Sequence, residues 1–225
     1  MMTKIPEISD IHKAGRSFLH RSLCIVFILL SAMIFSNEIN AQTIAQIDYI
    51  KYQLEDDGTA KVVGMVYKSH NYPTYYIHSQ KEYSGRIYQV TSIACLDCNA
   101  SFSTQSPEII IEDGILHIED RVFTDATTPG GNPVFNKNPS RRYYLSINYP
   151  STLIKIGNEA FEGIKLNAIN LPSNLEEIGD GAFRNCTMFT ELVIPNSVKK
   201  IGAGAFEGCT DMVSLELSNS LTTIA

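Results

Sequence analysis

The sequence predicts a β-rich repeat solenoid, a fold in which successive turns of the chain stack on one another. Three residue types recur at the same spacings of 22 and 23 residues, so the repeats share one period. The three ladders are Pro150, Pro172 and Pro195; Phe161, Phe183 and Phe206; and Ile156, Ile178 and Ile201, which Ile224 continues. Coincident ladders at a period of 20–50 residues are the sequence pattern of stacked repeats.

Between these ladders lies an L-x-x-L-x-L rhythm of apolar residues. Its members are Phe189, Leu192 and Ile194; Met212, Leu215 and Leu217; and, with a one-residue deletion, Leu166, Ile169 and Leu171. This rhythm at this period is typical of leucine-rich repeats. We therefore expect a right-handed leucine-rich-repeat solenoid of about 22–23-residue turns with short parallel strands. Prolines should end the strands, and each Ile-Gly step should turn the chain.

An earlier, degenerate copy lies upstream of the regular repeats. The segment EIIIEDGILHIEDRVF aligns without a gap with ELVIPNSVKKIGAGAF of the regular repeats. The alignment places Ile118 on the isoleucine ladder and Phe123 on the phenylalanine ladder. We therefore expect degenerate repeats over 93–123, an inserted Pro/Gly/Asn-rich loop over 124–142, and regular repeats over 143–225. The last repeat is incomplete, with Ser218 in the proline position and Ala225 in the glycine position.

The N-terminal region predicts export. Lys4, Lys13, Arg16 and Arg21 precede an apolar run from Leu23 to Phe35, and the small residue Ala41 follows a short polar stretch. This pattern is typical of a signal peptide over residues 1–41, and an uncleaved anchor is the alternative. Removing the leader leaves 14 Lys+Arg against 21 Asp+Glu, an acidic balance that argues against nucleic acid as a partner. No later apolar run is long enough to span a membrane.

A smaller β unit over 42–92 should precede the repeats. The runs IDYIKYQL and AKVVGMVY have strand-like composition and flank Asp56-Asp57-Gly58, a turn signal. We expect a hairpin that covers the N-terminal edge of the solenoid, where backbone groups would otherwise stay unpaired.

The repeat pattern I-P-x-S-V-x-x-I-G-x-x-A-F-x-G-C resembles the BspA-like, or treponemal-type, leucine-rich repeats of bacterial surface proteins. The segments IDYIKYQLEDDGTAKVVG and YSGRIYQVTSIA are similar to the flank that commonly precedes such repeats. Together the two likenesses extend from about Ile47 to Ala225. The resemblance implies a secreted or cell-surface binding module, adhesin-like, with a protein or glycan ligand. A structural or truncated envelope module without a ligand is the alternative.

A ligand surface on such a solenoid should use the outward positions of the strands. These are predicted to be Asn148, Asn170, Glu191, Val193, Ser214 and Glu216. They are small, polar and dissimilar, so a plain solvated face is the competing interpretation. The outward rows indicate no particular ligand.

The sequence does not predict an enzyme, a cofactor or a metal site. Cys95 and Cys98 form a CxxC, which we interpret as a local disulfide or two ordinary thiols, because a second ligand pair for zinc and a thioredoxin-like context are missing. Cys186 and Cys209 share one repeat position and are expected to be free, buried thiols. The histidines lie singly, and the tyrosines crowded between Tyr67 and Tyr88 suit strands more than a ligand platform.

Overall fold

The computed structural model describes residues 43–65, 74–94, 108–123 and 144–225. This part of the chain contains strands and turns and no helix. The predicted signal peptide, the whole inserted loop over 124–142, and Cys95 and Cys98 lie outside the described residues. The strands are β1 Thr43–Ile47, β2 Ile50–Leu54, β3 Thr59–Met65, β4 Thr74–Ile77, β5 Gln80–Tyr83, β6 Arg86–Ile93, β7 Glu108–Ile111, β8 His117–Ile118, β9 Ser146–Asn148, β10 Lys155–Ile156, β11 Glu177–Ile178, β12 Glu191–Val193, β13 Lys200–Ile201, β14 Ser214–Glu216 and β15 Thr223–Ile224.

The strands form two rows of parallel rungs, as the repeats predict. One row, here called the leucine sheet, comprises β4-β7-β9 and, after one irregular rung, β12-β14. The other, here called the isoleucine sheet, runs β3-β6-β8-β10-β11-β13-β15 in parallel order. The predicted leucine-rich-repeat architecture of parallel strands is therefore present.

The isoleucine sheet was not foreseen as a sheet. Each Ile-Gly step was expected to turn the chain, but Ile156 and Ile178 pair in register within two-residue strands, and the turn begins at the glycine that follows. Register holds across the insertion between Phe123 and Tyr144, because Ile156 pairs with Ile118 although 38 residues separate them. The inserted residues therefore leave the stacking of the rungs intact.

A third side of each rung carries no strand but is also hydrogen-bonded to its neighbours. The Phe123 amide donates to the Ala160 carbonyl at 2.7 Å, Phe161 to Ala182 at 2.8 Å, and Phe183 to Ala205 at 2.8 Å. Each bond runs from a ladder phenylalanine to the alanine that precedes the phenylalanine of the next rung. Backbone bonding therefore links the rungs on all three sides, which satisfies amides that the short strands alone would leave buried and unpaired.

The glycines that follow Ile156, Ile178 and Ile201 are required by the approach of adjacent rungs. A Cβ atom at Gly179 would lie 2.6 Å from the Gly157 carbonyl carbon and 2.7 Å from the Asn158 nitrogen. A Cβ atom at Gly202 would meet Asp180 and the Gly179 carbonyl carbon in the same way. Because the obstacles include backbone atoms, neither site can accept a side chain unless the rungs move apart.

The next position forms a ladder of polar side chains. The Asp120 carboxylate accepts the Asn158 amide at 2.7 Å, the Asn158 side-chain oxygen accepts the Asp180 amide at 2.8 Å, and Asp180 accepts the Ala203 amide at 2.8 Å. Each side chain thus binds the backbone of the following rung. No pattern in the sequence predicted this ladder.

The core is a stack of equivalent side chains along the solenoid. The ring centroids of Phe123, Phe161, Phe183 and Phe206 lie 5.2, 5.1 and 5.5 Å apart in succession, with planes within 16° of parallel. The predicted core positions Ile118, Phe123, Ile156, Phe161, Ile178, Phe183 and Ile201 are buried, and Phe206 is partly buried. Every inner rung therefore buries apolar area against two neighbours, which makes stability a sum of rung interfaces.

The N-terminal unit continues the isoleucine sheet. β2 and β3 pair antiparallel around the turn predicted at Asp56-Asp57-Gly58, and β3 then pairs in parallel with β6, so that Val62 aligns with Ile93. The run IDYIKYQL, predicted as one strand from Ile47, is divided by a turn in which Asp48 has a φ of 56°. Ile47 therefore belongs to β1, and the rest of the run forms β2, which pairs with β1. Both sheets reach back beyond residue 93, the predicted start of the repeats, because β4 pairs with β7 and β6 with β8.

One predicted strand is missing. The rung Leu166–Leu171 forms only isolated bridges, Leu145 to Leu166 and Lys165 to Thr187. From Ile164 to Pro172 this rung has eight steps, whereas the equivalent path from Cys186 to Pro195 has nine. With one residue fewer, the rung cannot extend three residues in strand register, and the leucine sheet is interrupted here.

Candidate binding surface

The outward positions of the leucine sheet lie along one side of the described solenoid, interrupted at the rung Leu166–Leu171. Strand alternation buries Ile109, Ile147 and Leu192, and the residues next to them point outward. The packed core therefore lies beneath this surface as far as β12 and favours a fixed arrangement of the outward side chains there, whereas Leu215 on β14 is 42% exposed.

All six residues predicted to face outward are exposed in the structure: Asn148, Asn170, Glu191, Val193, Ser214 and Glu216. Four of them lie together, since Glu191 is the register partner of Ser214 and Val193 the partner of Glu216. Asn148 lies on β9, and Asn170 lies in the rung without a strand. Whether these residues bind a ligand stays a prediction.

The N-terminal part of this surface contains residues that the sequence analysis set aside. Tyr76 is 53% exposed and its ring stacks on His78 at a centroid distance of 6.3 Å. His78 Nδ1 lies 2.6 Å from the Glu112 carboxylate, and Thr74 donates to Glu108 at 3.2 Å. Partial burial acts to raise the pKa of Glu112, but the hydrogen bonds from His78 and the Ser79 amide lower it.

His78 and Glu112 are 34 residues apart, and no sequence signal joined them. The spacing that pairs them follows from the parallel register of β4 with β7, in which Ile77 opposes Ile111. The crowded tyrosines also divide between two roles. Tyr75 is buried in the core, whereas its neighbour Tyr76 faces outward.

The isoleucine sheet presents a different outer surface, on which charges are paired between rungs. The Glu177 carboxylate lies 3.3 Å from Lys155 on one neighbouring rung and 2.7 Å from Lys200 on the other. Lys199 lies 3.1 Å from Glu176. The hydrogen bonds from the Lys200 and Lys155 side chains lower the pKa of Glu177. This face is thus largely neutralised within the protein.

The two described cysteines are free thiols with a structural role. Cys186 donates to the Phe161 carbonyl at 2.9 Å and Cys209 to the Phe183 carbonyl at 3.1 Å. Burial raises the pKa of both thiols, which opposes thiolate formation. Ile164 occupies the equivalent position one rung earlier, so the site requires a compact apolar group.

A cavity of about 440 Å³ opens beside Ala94, where Glu119 occupies the position of the ladder glycine. Its acidic groups have protein partners: Glu119 accepts the Ser92 hydroxyl at 2.8 Å and lies 3.4 Å from Lys61, and Asp120 belongs to the polar ladder. Across the ranges that the structure describes, no group of three His, Cys, Asp or Glu side chains could hold a metal ion. The same ranges contain no helix long and apolar enough to cross a membrane.

The family model of the BspA type leucine rich repeat region matches residues 139–225, with six copies of the repeat. No curated protein matches the sequence. Among solved structures, a leucine-rich repeat protein from Bacteroides ovatus is similar, with 25% identity and a TM-score of 0.58 over 78% of this chain and 42% of that chain.

Two further structures share the fold. The pneumococcal vaccine antigen PcpA has 21% identity and a TM-score of 0.55 over 80% of this chain and 51% of that one, and a leucine-rich repeat protein from T. pallidum has 19% identity and a TM-score of 0.52 over 76% and 81%. This chain thus spans about half or less of the length of the first two structures. The parallel rungs and the ladder residues agree with the family match, which covers residues 139–225 and shows a leucine-rich repeat region similar to the BspA type.

Proposed function

We propose that this protein is an exported binding module that engages a protein or glycan at the cell surface through the outward face of its leucine sheet. Leucine-rich repeats suggest a protein–protein interaction module, and the role at the surface is the finer part of the proposal. Right-handed winding in turns of about 22–23 residues also belongs to the proposal.

The observation that carries the proposal is the contrast between the two outer faces. On the isoleucine sheet, Glu177 is occupied by lysines of both adjacent rungs. On the leucine sheet, Glu191 and Glu216 form no ion pair with any described residue. Val193 lies on β12 beside Glu216, and its side chain is 56% exposed. Side chains left without internal partners on a rigid face are available to a ligand.

Export supports the same conclusion from another direction. The basic n-region and the apolar run from Leu23 to Phe35 are the basis for a cleaved signal peptide, with processing after Ala41. Cell fractionation and intact mass measurement test this part of the proposal. Retention of the uncut mass in the membrane fraction would replace the signal peptide by an N-terminal anchor.

Binding is tested by presenting the purified full-length protein to extracellular-matrix proteins, glycans and intact cells. A Glu191→Lys, Glu216→Lys double variant reverses two charges on the leucine sheet. A Glu82→Lys, Glu207→Lys variant, at two exposed positions outside that sheet that form no ion pair with a described residue, changes the net charge by the same amount. Circular dichroism checks that both variants remain folded.

We expect saturable binding that the first variant loses and the second retains. Equal binding by all three proteins would place the ligand surface elsewhere. A folded wild-type protein that binds nothing in the screen would favour a structural module without its own ligand.

A further inference from the structure

We propose that the leucine sheet recognises a cationic partner, a protein segment rich in lysine or arginine. The inference rests on the proposed function, since it names the chemistry of the ligand for that same face. It follows from three features of the described residues: the charges on the face, the contact geometry of the opposite face, and one exposed aromatic ring.

The charges on the outward face have one sign. The five strands of the leucine sheet contain Glu108, Glu191 and Glu216, and Glu112 follows directly after β7, whereas none of these strands contains a lysine or arginine. Beside the N-terminal strands, Glu112 is already held by His78 and lies within the field of Lys81, whereas Glu191 and Glu216 form no ion pair with any described residue. The face therefore presents carboxylates for which its strands supply no Lys or Arg.

The outer face of the isoleucine sheet shows the lysine partners that these carboxylates lack. There, Lys200 on the following rung brings its ammonium nitrogen to 2.7 Å from the Glu177 carboxylate, and Lys155 on the preceding rung brings a second one to 3.3 Å. The rung spacing is common to both sheets, so it suits ammonium–carboxylate contacts in either place. On the leucine sheet the matching cations must come from outside the strands, and a basic segment lying along the solenoid would supply them.

The aromatic end of the face suits the same partner. The Tyr76 ring is more than half exposed, and the stacked His78 and its Glu112 partner hold one side of it. A lysine or arginine side chain laid on the free ring surface gains a cation–π contact and covers apolar area. An anionic partner would instead meet four carboxylates along its path.

The test measures binding of poly-L-lysine to the purified full-length protein by surface plasmon resonance, with poly-L-glutamate as the opposite probe. The face variant is Glu191→Gln, Glu216→Gln. The matched control is Glu82→Gln, Glu207→Gln, which removes two exposed carboxylates outside the leucine sheet, neither of them in an ion pair with a described residue, and gives the same net charge. Comparison of the two variants separates a specific face from general attraction to an acidic protein.

We expect poly-L-lysine to bind, the face variant to weaken the affinity about tenfold, and the control to change it by less than about twofold. The affinity for poly-L-lysine should fall as the salt concentration is raised from about 0.15 to about 0.5 M, because salt screens the attraction between the charges. Equal weakening by both variants, no binding of poly-L-lysine, or preference for poly-L-glutamate would overturn the inference. A neutral or acidic ligand that the screen finds on this face would leave the proposed function standing and refute the cationic partner alone.

Discussion

Replacing Gly179 by alanine tests the stacking of the rungs most directly. The backbone at Gly179 does not lie in the left-handed region, so conformational reasoning alone predicts that Gly179→Ala stabilises the fold by about 0.4–1 kcal/mol through the unfolded chain. The contacts predict the opposite. The new methyl group would lie 2.6 Å from a backbone carbon of the preceding rung, well inside ordinary contact.

The size of the effect follows from what must move. Relief of the contact stretches the bond from the Gly179 amide to the Ile156 carbonyl, now 2.9 Å, and the bond from the Asp180 amide to Asn158, now 2.8 Å. Each hydrogen bond contributes about 0.5–1.5 kcal/mol, and overpacking costs about 1–3 kcal/mol. After subtraction of the gain in the unfolded chain, we expect a loss of about 1–6 kcal/mol in the free energy of unfolding.

Gly204→Ala is the matched control. Gly204 has a φ of +61°, a conformation that costs an alanine about 1–2 kcal/mol, but a Cβ there would meet only the end of the Glu207 side chain, at 3.0 Å. Urea unfolding followed by circular dichroism should therefore rank Gly179→Ala as the more destabilising change. A Gly179→Ala protein as stable as wild type, or more stable than Gly204→Ala, would refute the account of rung contact.

Three further changes test the core and the charged face. Phe183→Ala removes a ring stacked on both sides and should cost about 3–5 kcal/mol in urea unfolding, clearly more than Phe206→Ala, where one described ring neighbour is lost from a partly buried site; equal losses would contradict stacking along the solenoid. Tyr149→Phe removes a buried hydroxyl that has no hydrogen-bond partner among the described residues, and should leave the free energy of unfolding unchanged or raise it by up to about 1–3 kcal/mol. A large loss of stability would reveal a hydrogen-bond partner. Because the pKa of Glu177 is lowered in the folded state, its contribution is present above the unfolded pKa and is lost as the pH falls through the folded pKa, so Glu177→Gln should flatten the acid limb of a stability–pH curve; an unchanged limb would show that the pairs with lysine contribute nothing.

Repetition explains how much of the fold could be predicted from the sequence. Phe161 and Phe183 have the same environment one rung apart, so their spacing reports the pairing of backbones between them. The irregular features depend on single residues instead. The missing residue between Ile164 and Pro172 was visible as a gap, but its effect on the leucine sheet follows from strand register, which requires the neighbouring rungs to be in place.

The polar ladder escaped prediction for a related reason. Asp120, Asn158 and Asp180 accept the amide of the next rung with similar geometry, yet their identities differ and Ala203 ends the series. A hydrogen bond across 22 or more residues leaves no local pattern to recognise. The pairing of charges is hidden in the same way, because Glu177 and Glu191 look alike until the fold gives one of them two lysines.

The rigidity of the rungs also constrains what a ligand on the leucine sheet must look like. Glu191 and Glu216 lie on adjacent strands, about 4.8 Å apart across the sheet, but at register positions two residues apart, so their separation also includes about 6.6 Å along the strands. The stacked phenylalanines and the three bonded sides of each rung keep that spacing fixed. A partner whose positive charges match it gains contacts without ordering the protein further, which reduces the entropic cost of association. A partner with the same net charge but a different spacing must deform one of the two chains, so the solenoid selects by the repeat of charges along its axis as well as by their sign.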